Sequence, residues 1–220
     1  MLTLTDHINL GVVWTLDMLA ICLNLLLIGV IVLRTPVQLR TYSVFLLNNA
    51  IIDLTTAISS ALASTRIIIN HETQTSLFVF LGPCTLFSEH LCRLCQALLV
   101  NLVTQSSIVL LISFLYRLYI IDVAATSRSP LSSSRIWLFC SISFLLITPL
   151  TYGYYLEETD VSQEVLNRFD LHGYTVSNYN IFSTRSLVVN SVVCVISPIV
   201  FMAIFVVRRM LIARISQAVS

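Results

Sequence analysis

The chain has 220 residues, of which 57% are hydrophobic and only 10% charged, and its mean hydropathy is +0.90. A soluble domain carries about 25% charged residues, so there is too little polar surface here to coat a water-exposed core, and a bilayer is the natural solvent. The net charge of +1 is small and no basic run interleaves with aromatics, which leaves nucleic-acid binding without support.

The first nine residues contain Asp6 and no Lys or Arg. They lack the basic leader of a cleaved signal peptide, so the first apolar stretch is expected to remain as a helix. A helix crosses the hydrocarbon core with about 20 mainly apolar residues. Five stretches qualify: 10–33, 44–63, 91–121, 136–155 and 186–207. None alternates with the two-residue period of a barrel strand. The sequence therefore predicts an all-α, polytopic transmembrane bundle of five spans, a single domain over 1–220.

The twelve basic residues are all Arg, and their distribution orients the bundle. Arg34, Arg40, Arg117, Arg128, Arg135, Arg208, Arg209 and Arg214 fall after spans one, three and five, with Asp122 as the only acid. The N-terminus and the other two loops hold Arg66, Arg93, Arg168 and Arg185 against Asp6, Glu72, Glu89, Glu157, Glu158, Asp160, Glu164 and Asp170. Positive residues concentrate in cytoplasmic loops, so the N-terminus is expected outside and the C-terminus inside. Tyr152, Tyr154 and Tyr155 fit an aromatic belt at the outer end of span four, and Trp137 fits one at its inner end. The long acidic loop 156–185 reads either as a lid over a ligand entrance or as a solvated connection.

Ionisable and amide groups inside the spans stand out, because lipid makes them costly. Asn24 and Asp53 lie mid-span at similar depth, with Asn49 one turn before Asp53. A pair between Asn24 and Asp53 would satisfy both, as helix glue or as an ion-sensitive switch. Asp17 lies near enough to the outer surface to stay partly hydrated. In span three, Asn101 and Gln105 share a face at i, i+4 and Ser106 lies on another. These three are candidates for a ligand pocket, with interhelix packing as the plainer role. Arg117 closes the span either as a snorkelling anchor or as a latch for an intracellular partner.

The six cysteines are Cys22, Cys84, Cys92, Cys95, Cys140 and Cys194. Cys84, Cys92 and Cys95 near His90 match no zinc spacing, so no metal is expected. An extracellular disulfide from Cys84 to Cys92 or Cys95 suits an oxidising side. No phosphate-cradling glycine motif, nucleophile elbow or His-Glu-x-x-His occurs, so neither catalysis nor a cofactor is expected.

The run Thr35-Pro36-Val37-Gln38-Leu39-Arg40-Thr41-Tyr42-Ser43-Val44-Phe45-Leu46-Leu47-Asn48-Asn49-Ala50-Ile51-Ile52-Asp53-Leu54 resembles the first inner loop and second helix of nematode serpentine chemoreceptors, class delta (Srd). Leu81-Gly82-Pro83-Cys84, Cys92 and Ser113-Phe114-Leu115-Tyr116-Arg117 look like the same class. A looser likeness to rhodopsin-like receptors places Asn24, Asp53, Cys92, Tyr116-Arg117 and Pro198 at positions those receptors use. The resemblance implies a seven-helix chemosensory G-protein-coupled receptor in the plasma membrane, in keeping with sensory cilia. An external odorant or pheromone would bind between the outer helix halves. A heterotrimeric G protein would meet the inner face around Tyr116, Arg117, Arg208 and Arg209. Three departures accompany the likeness. Tyr116 replaces the acid that precedes Arg in many such receptors, loop 156–185 has no Cys to pair with Cys92, and the sequence stops at Ser220 after five spans. A fragment or truncated product is therefore expected, with a non-signalling five-helix remnant, small transporter or partner subunit as the competing reading.

Overall fold

The structure is a computed structural model that describes residues 4–36, 40–70, 75–126 and 132–219. Glu72 and Arg128 lie outside the described residues. The helices are α1 (Leu4–Arg34), α2 (Arg40–Ala63), α3 (Glu89–Thr126), α4 (Ser133–Glu157), the short α5 (Gln163–Arg168) and α6 (Thr184–Val219). The strands are β1 (Thr65–Asn70), β2 (Thr75–Phe80), β3 (Glu158–Asp160) and β4 (Thr175–Asn180).

Among the described residues, five helical segments are long and apolar enough to cross a bilayer: Leu10–Arg34, Thr41–Ala63, Glu89–Ile121, Ser134–Glu157 and Thr184–Arg214. In lipid a helix satisfies its backbone groups internally, so apolar runs of this length settle on helix despite Pro149 in α4 and Pro198 in α6. The central element is α3, which packs against α2, α4 and α6, while α1 packs on α2. With 38 residues, α3 is about 57 Å long at 1.5 Å per residue, longer than a typical hydrocarbon core. Leu16, Leu19, Leu23 and Leu26 on α1 face away from the bundle, exposed as a lipid-facing surface requires.

Chain alternation sends the α2–α3, α4–α6 and N-terminal ends to one side and the remaining helix ends to the other. The first side carries an unanticipated element, a four-stranded antiparallel sheet of order β1-β2-β4-β3. The β1–β2 hairpin comes from the connection after α2, and β3 and β4 come from the connection after α4. Loop 156–185 is therefore neither a bare connection nor a loose lid. It folds as half of a sheet, with α5 between its strands.

Every residue of β2 is buried, and its two faces serve two cores. Phe78 and Phe80 point to the helices, joining Cys84, Cys92, Cys95, Tyr154 and Tyr179. Leu77 and Val79 point the other way, under Leu171, Val176 and the α5 side chains Val165 and Leu166. This is the two-residue period of a strand with both faces covered.

Gly82 follows β2 and fixes the sheet to the bundle. Its N–H donates to the Ala63 carbonyl at 3.1 Å, and a Cβ there would lie 2.1 Å from the Leu62 carbonyl oxygen. Close backbone approach, and not an unusual φ, explains the glycine.

Candidate functional site

At the sheet end, Cys84 and Cys92 form a disulfide, sequence separation 8. It joins the 3-10 turn Pro83–Leu86 to the first turns of α3. Cys95 stays a free, buried thiol one turn further on. Arg93, on the same turn and also buried, pairs with Glu89 and with Asp160 on β3. Its other guanidinium nitrogen donates to the Glu158 carbonyl at 3.1 Å. The second loop is thus tied to α3 through an arginine, at the place where no cysteine is available to do it. Glu158 is itself buried; its Oε2 accepts from Ser177 at 2.9 Å and its Oε1 has no partner among the described residues. Burial pushes this carboxyl up to about 8, with the Ser177 hydrogen bond and the Arg93 charge opposing the rise only in part.

Tyr154 departs from the expected aromatic belt. It is buried and stacks on Tyr179 at 4.7 Å between ring centroids, with Phe78 at 6.5 Å. Tyr152 keeps the exposed position. Two residues along a helix turn by about 200°, so the two rings cannot share one face.

A chamber of about 280 Å³ lies beneath the sheet, between α1, α2, α3 and β1. Leu10, Val13 and Leu99 give it apolar wall, while Ser60, Arg66 and Gln96 give it polar groups. Trp14 closes α1 onto the corner between α2 and β1 by donating its Nε1–H to Ser64 Oγ at 2.8 Å. One turn deeper, Asp17 accepts from Ser60 through one oxygen while Oδ2 has no partner among the described residues. Sequence reasoning missed Gln96, Arg66 and Ser60 because their convergence depends on how β1 folds back over α2.

Deeper in the bundle, the expected Asn24–Asp53 pair does not form. Asn24 donates to the Ala20 carbonyl of its own helix at 2.9 Å. Asp53 instead accepts from Asn49 at 3.0 Å and from Ser106 on α3 at 2.9 Å, and the Ser106 hydroxyl also lies 3.1 Å from Asn49 Oδ1. The polar knot therefore spans α2 and α3, and such an interhelical bond contributes roughly 0.6–2 kcal/mol in a membrane. Ser106 was legible as a polar position, but the rotation of α3 that turns it to α2 was not.

The three pocket candidates are consequently separated. Asn101 donates to the Ala97 carbonyl at 2.8 Å, and Gln105 donates to Ser143 on α4 at 2.8 Å, both fully buried. Ser106 faces α2. Asn101 Oδ1, Thr104 Oγ1 and Gln105 Oε1 have no hydrogen-bond partner among the described residues. No group of His, Cys, Asp and Glu among the described residues is arranged to hold a metal ion.

The opposite end gathers arginines. Tyr116 is buried among Phe45, Val44, Ile136 and Cys140, its ring 5.2 Å from that of Phe45, which locks α2, α3 and α4 together. Arg117 is exposed, with its guanidinium 4.7 Å from the Tyr42 ring centroid and 5.1 Å from that of Phe114. Among the described residues no carboxylate pairs with it. Arg208, Arg209 and Arg214 are exposed on the last turns of α6.

Residues 11–220 match the family model described as serpentine type 7TM GPCR chemoreceptor Srd. The chain is 34% identical to serpentine receptor class delta-1 of Caenorhabditis elegans over 154 residues, 69% of this chain and 39% of that receptor. It is 29% identical to class delta-2 of the same organism over 214 residues, 92% of this chain and 56% of that receptor. Class delta-3 is 30% identical over 166 residues, 74% and 46% of the two chains. The chain spans about half the length of the curated relatives it matches. Five membrane-length helices, a family-model match over nearly the whole chain and these relatives lead to one conclusion: the chain belongs to the serpentine class delta (Srd) family of seven-transmembrane chemoreceptors.

Proposed function

We propose that this chain is the ligand-receiving and part of the G-protein-contacting portion of a chemosensory receptor. The N-terminus and sheet lie outside the cell, and the arginine end lies in the cytoplasm of a sensory membrane. The orientation rests on charge: the arginine end has eight basic residues against one acid.

An external small molecule would enter the chamber beneath the sheet. Ser60, Arg66 and Gln96 would orient it, and Leu10, Val13 and Leu99 would take up its apolar surface. Binding favours an active arrangement only to the extent that the ligand contacts that state better. The polar knot of Asn49, Asp53 and Ser106 lies between chamber and cytoplasm, where a small rotation of α3 against α2 would break it.

The observation that carries the reading is the state of Arg117. It is exposed at the cytoplasmic end, held by two aromatic rings and by no carboxylate among the described residues, and so is available to a G protein. Tyr116 positions it by anchoring the helix, and Arg208 and Arg209 widen the basic face. In the receptor expressed with its G protein, Arg117→Ala is expected to abolish ligand-evoked signalling while surface level is unchanged. Unchanged signalling in that variant overturns the role of Arg117.

A further inference from the structure

At the sheet end of the bundle, α3 and α4 leave a trough on their outward side with a volume of about 590 Å³. One wall is Leu91, Leu94 and Leu98, spaced to share a face of α3. The other is α4, through Thr148, Thr151 and Tyr155. The Thr148 hydroxyl is satisfied by the Phe144 carbonyl at 3.0 Å, so it presents mainly its methyl group. Leu91 to Leu98 covers about 10 Å of helix. All of this lies within the two membrane-length segments Glu89–Ile121 and Ser134–Glu157. With both segments crossing a bilayer, the exposed trough opens toward lipid, and an occupant can be drawn from the bilayer.

One end of the trough is polar in a specific way. His90 Nδ1 and the Tyr155 hydroxyl are 3.1 Å apart. If neutral His90 donates from Nδ1, the tyrosine keeps a free proton and Nε2 keeps a free lone pair. If the tyrosine donates, Nε2 carries a free N–H and the phenol oxygen keeps its lone pairs. Either way the pair offers one donor and one acceptor, the complement of a hydroxyl. An anionic head is disfavoured there. Glu89 adjoins His90, and the nearby cation Arg93 is already engaged by Glu89 and Asp160.

We propose that the α3–α4 trough binds a neutral, alcohol-headed lipid amphiphile drawn from the bilayer. Its hydroxyl lies on the His90–Tyr155 pair and its hydrocarbon lies along Leu91, Leu94 and Leu98. This site is separate from the chamber and does not depend on the signalling reading.

The test uses the full chain in phosphatidylcholine nanodiscs and a hexadecanol analogue carrying a diazirine and an alkyne. Crosslinks are mapped by mass spectrometry. Saturable labelling of peptides around Leu91–Leu98 and Thr148–Tyr155 is expected. Untagged hexadecanol should displace it at least about tenfold better than palmitate. Thr151→Trp should fill the trough and remove the saturable labelling, and Leu94→Trp repeats the test from the other wall should the first variant not fold. His90→Ala is expected to weaken labelling by roughly threefold to tenfold, the loss of about one hydrogen bond. Labelling that rises linearly with probe and spreads over the α1 leucines overturns the site. Equal displacement by palmitate overturns the choice of head group.

Discussion

Two arginines on α3 are held in opposite ways. Arg93, at the sheet end, is buried and divided between two carboxylates and a backbone carbonyl. Arg117, 24 positions and about 36 Å further along the helix, is exposed and lies on the Tyr42 and Phe114 rings. The first arrangement uses directional hydrogen bonds and leaves a charge that cannot move without breaking several of them. The second uses the faces of two rings, an attraction of roughly 0.5–1 kcal/mol at an exposed site, and leaves the N–H groups open to another partner. One helix thus joins a fixed end to a readily released one, which is the division of labour a receptor requires.

That comparison can be broken most severely at Gly82. An alanine there collides with the Leu62 carbonyl, so Gly82→Ala is expected to cost roughly 3 kcal/mol or more and to deplete folded receptor at the cell surface. Surface biotinylation reads this, and normal delivery would show that the sheet is not tied to the bundle as described. Next comes the disulfide. Closing a loop of separation 8 is worth about 2.5 kcal/mol by loop entropy, so Cys84→Ser with Cys92→Ser should lower the thermal midpoint. The Arg117 end should keep its local hydrogen-exchange protection, and equal loosening at both ends would erase the contrast between them.

Glu158 sharpens the fixed end by pH. Its folded value of about 8 lies above the ordinary 4.5, so the uncharged form is the one the fold accepts. Stability from this group is complete below pH 4.5 and declines as pH rises through about 8, after which it is flat. Arg93, Glu89 and Tyr154 from the helices, Ser177 and Tyr179 from β4, and Asp160 from β3 surround this region. Opening of the β4 amides, read as exchange divided by its intrinsic base-catalysed rate, should therefore rise between pH 5 and 8, and Glu158→Gln should flatten that rise. A rise that persists in Glu158→Gln would assign it to another group. The smallest effect belongs to the other end. Tyr42→Leu removes one ring from Arg117 at a cost of about 0.5–1 kcal/mol. It should raise ligand-independent signalling severalfold with little change in stability, whereas lower basal signalling would make Tyr42 a support of the active state.

The helical part of this fold was legible because lipid imposes a length and an apolar composition that few other structures share. The arginine asymmetry was equally plain, being a property of loops and not of packing. The sheet was not legible. The apolar run Leu77–Phe80 is too short to separate strand from buried turn, and its partner β4 reads Thr-Val-Ser-Asn-Tyr-Asn, polar enough for any solvated loop. Within the bundle, Asp53 and Ser106 could each be singled out by polarity, but their meeting depends on helix rotation, which one sequence encodes only through the packing of many apolar side chains. Asn24 looked like a partner by depth and turned instead to its own backbone.

The position of β2 also bears on how the chain is made. It stands in the middle of the sheet with β1 on one side, but its other neighbour, β4, is synthesised roughly a hundred residues later. Between the two come α3 and α4, so a ribosome-bound intermediate would carry a bare strand edge until both helices have been made. Such an edge is a natural handle for chaperones and a natural seed for mispairing between nascent chains. Completion of the sheet therefore waits on the fourth helix, because β3 and β4 follow it in the chain.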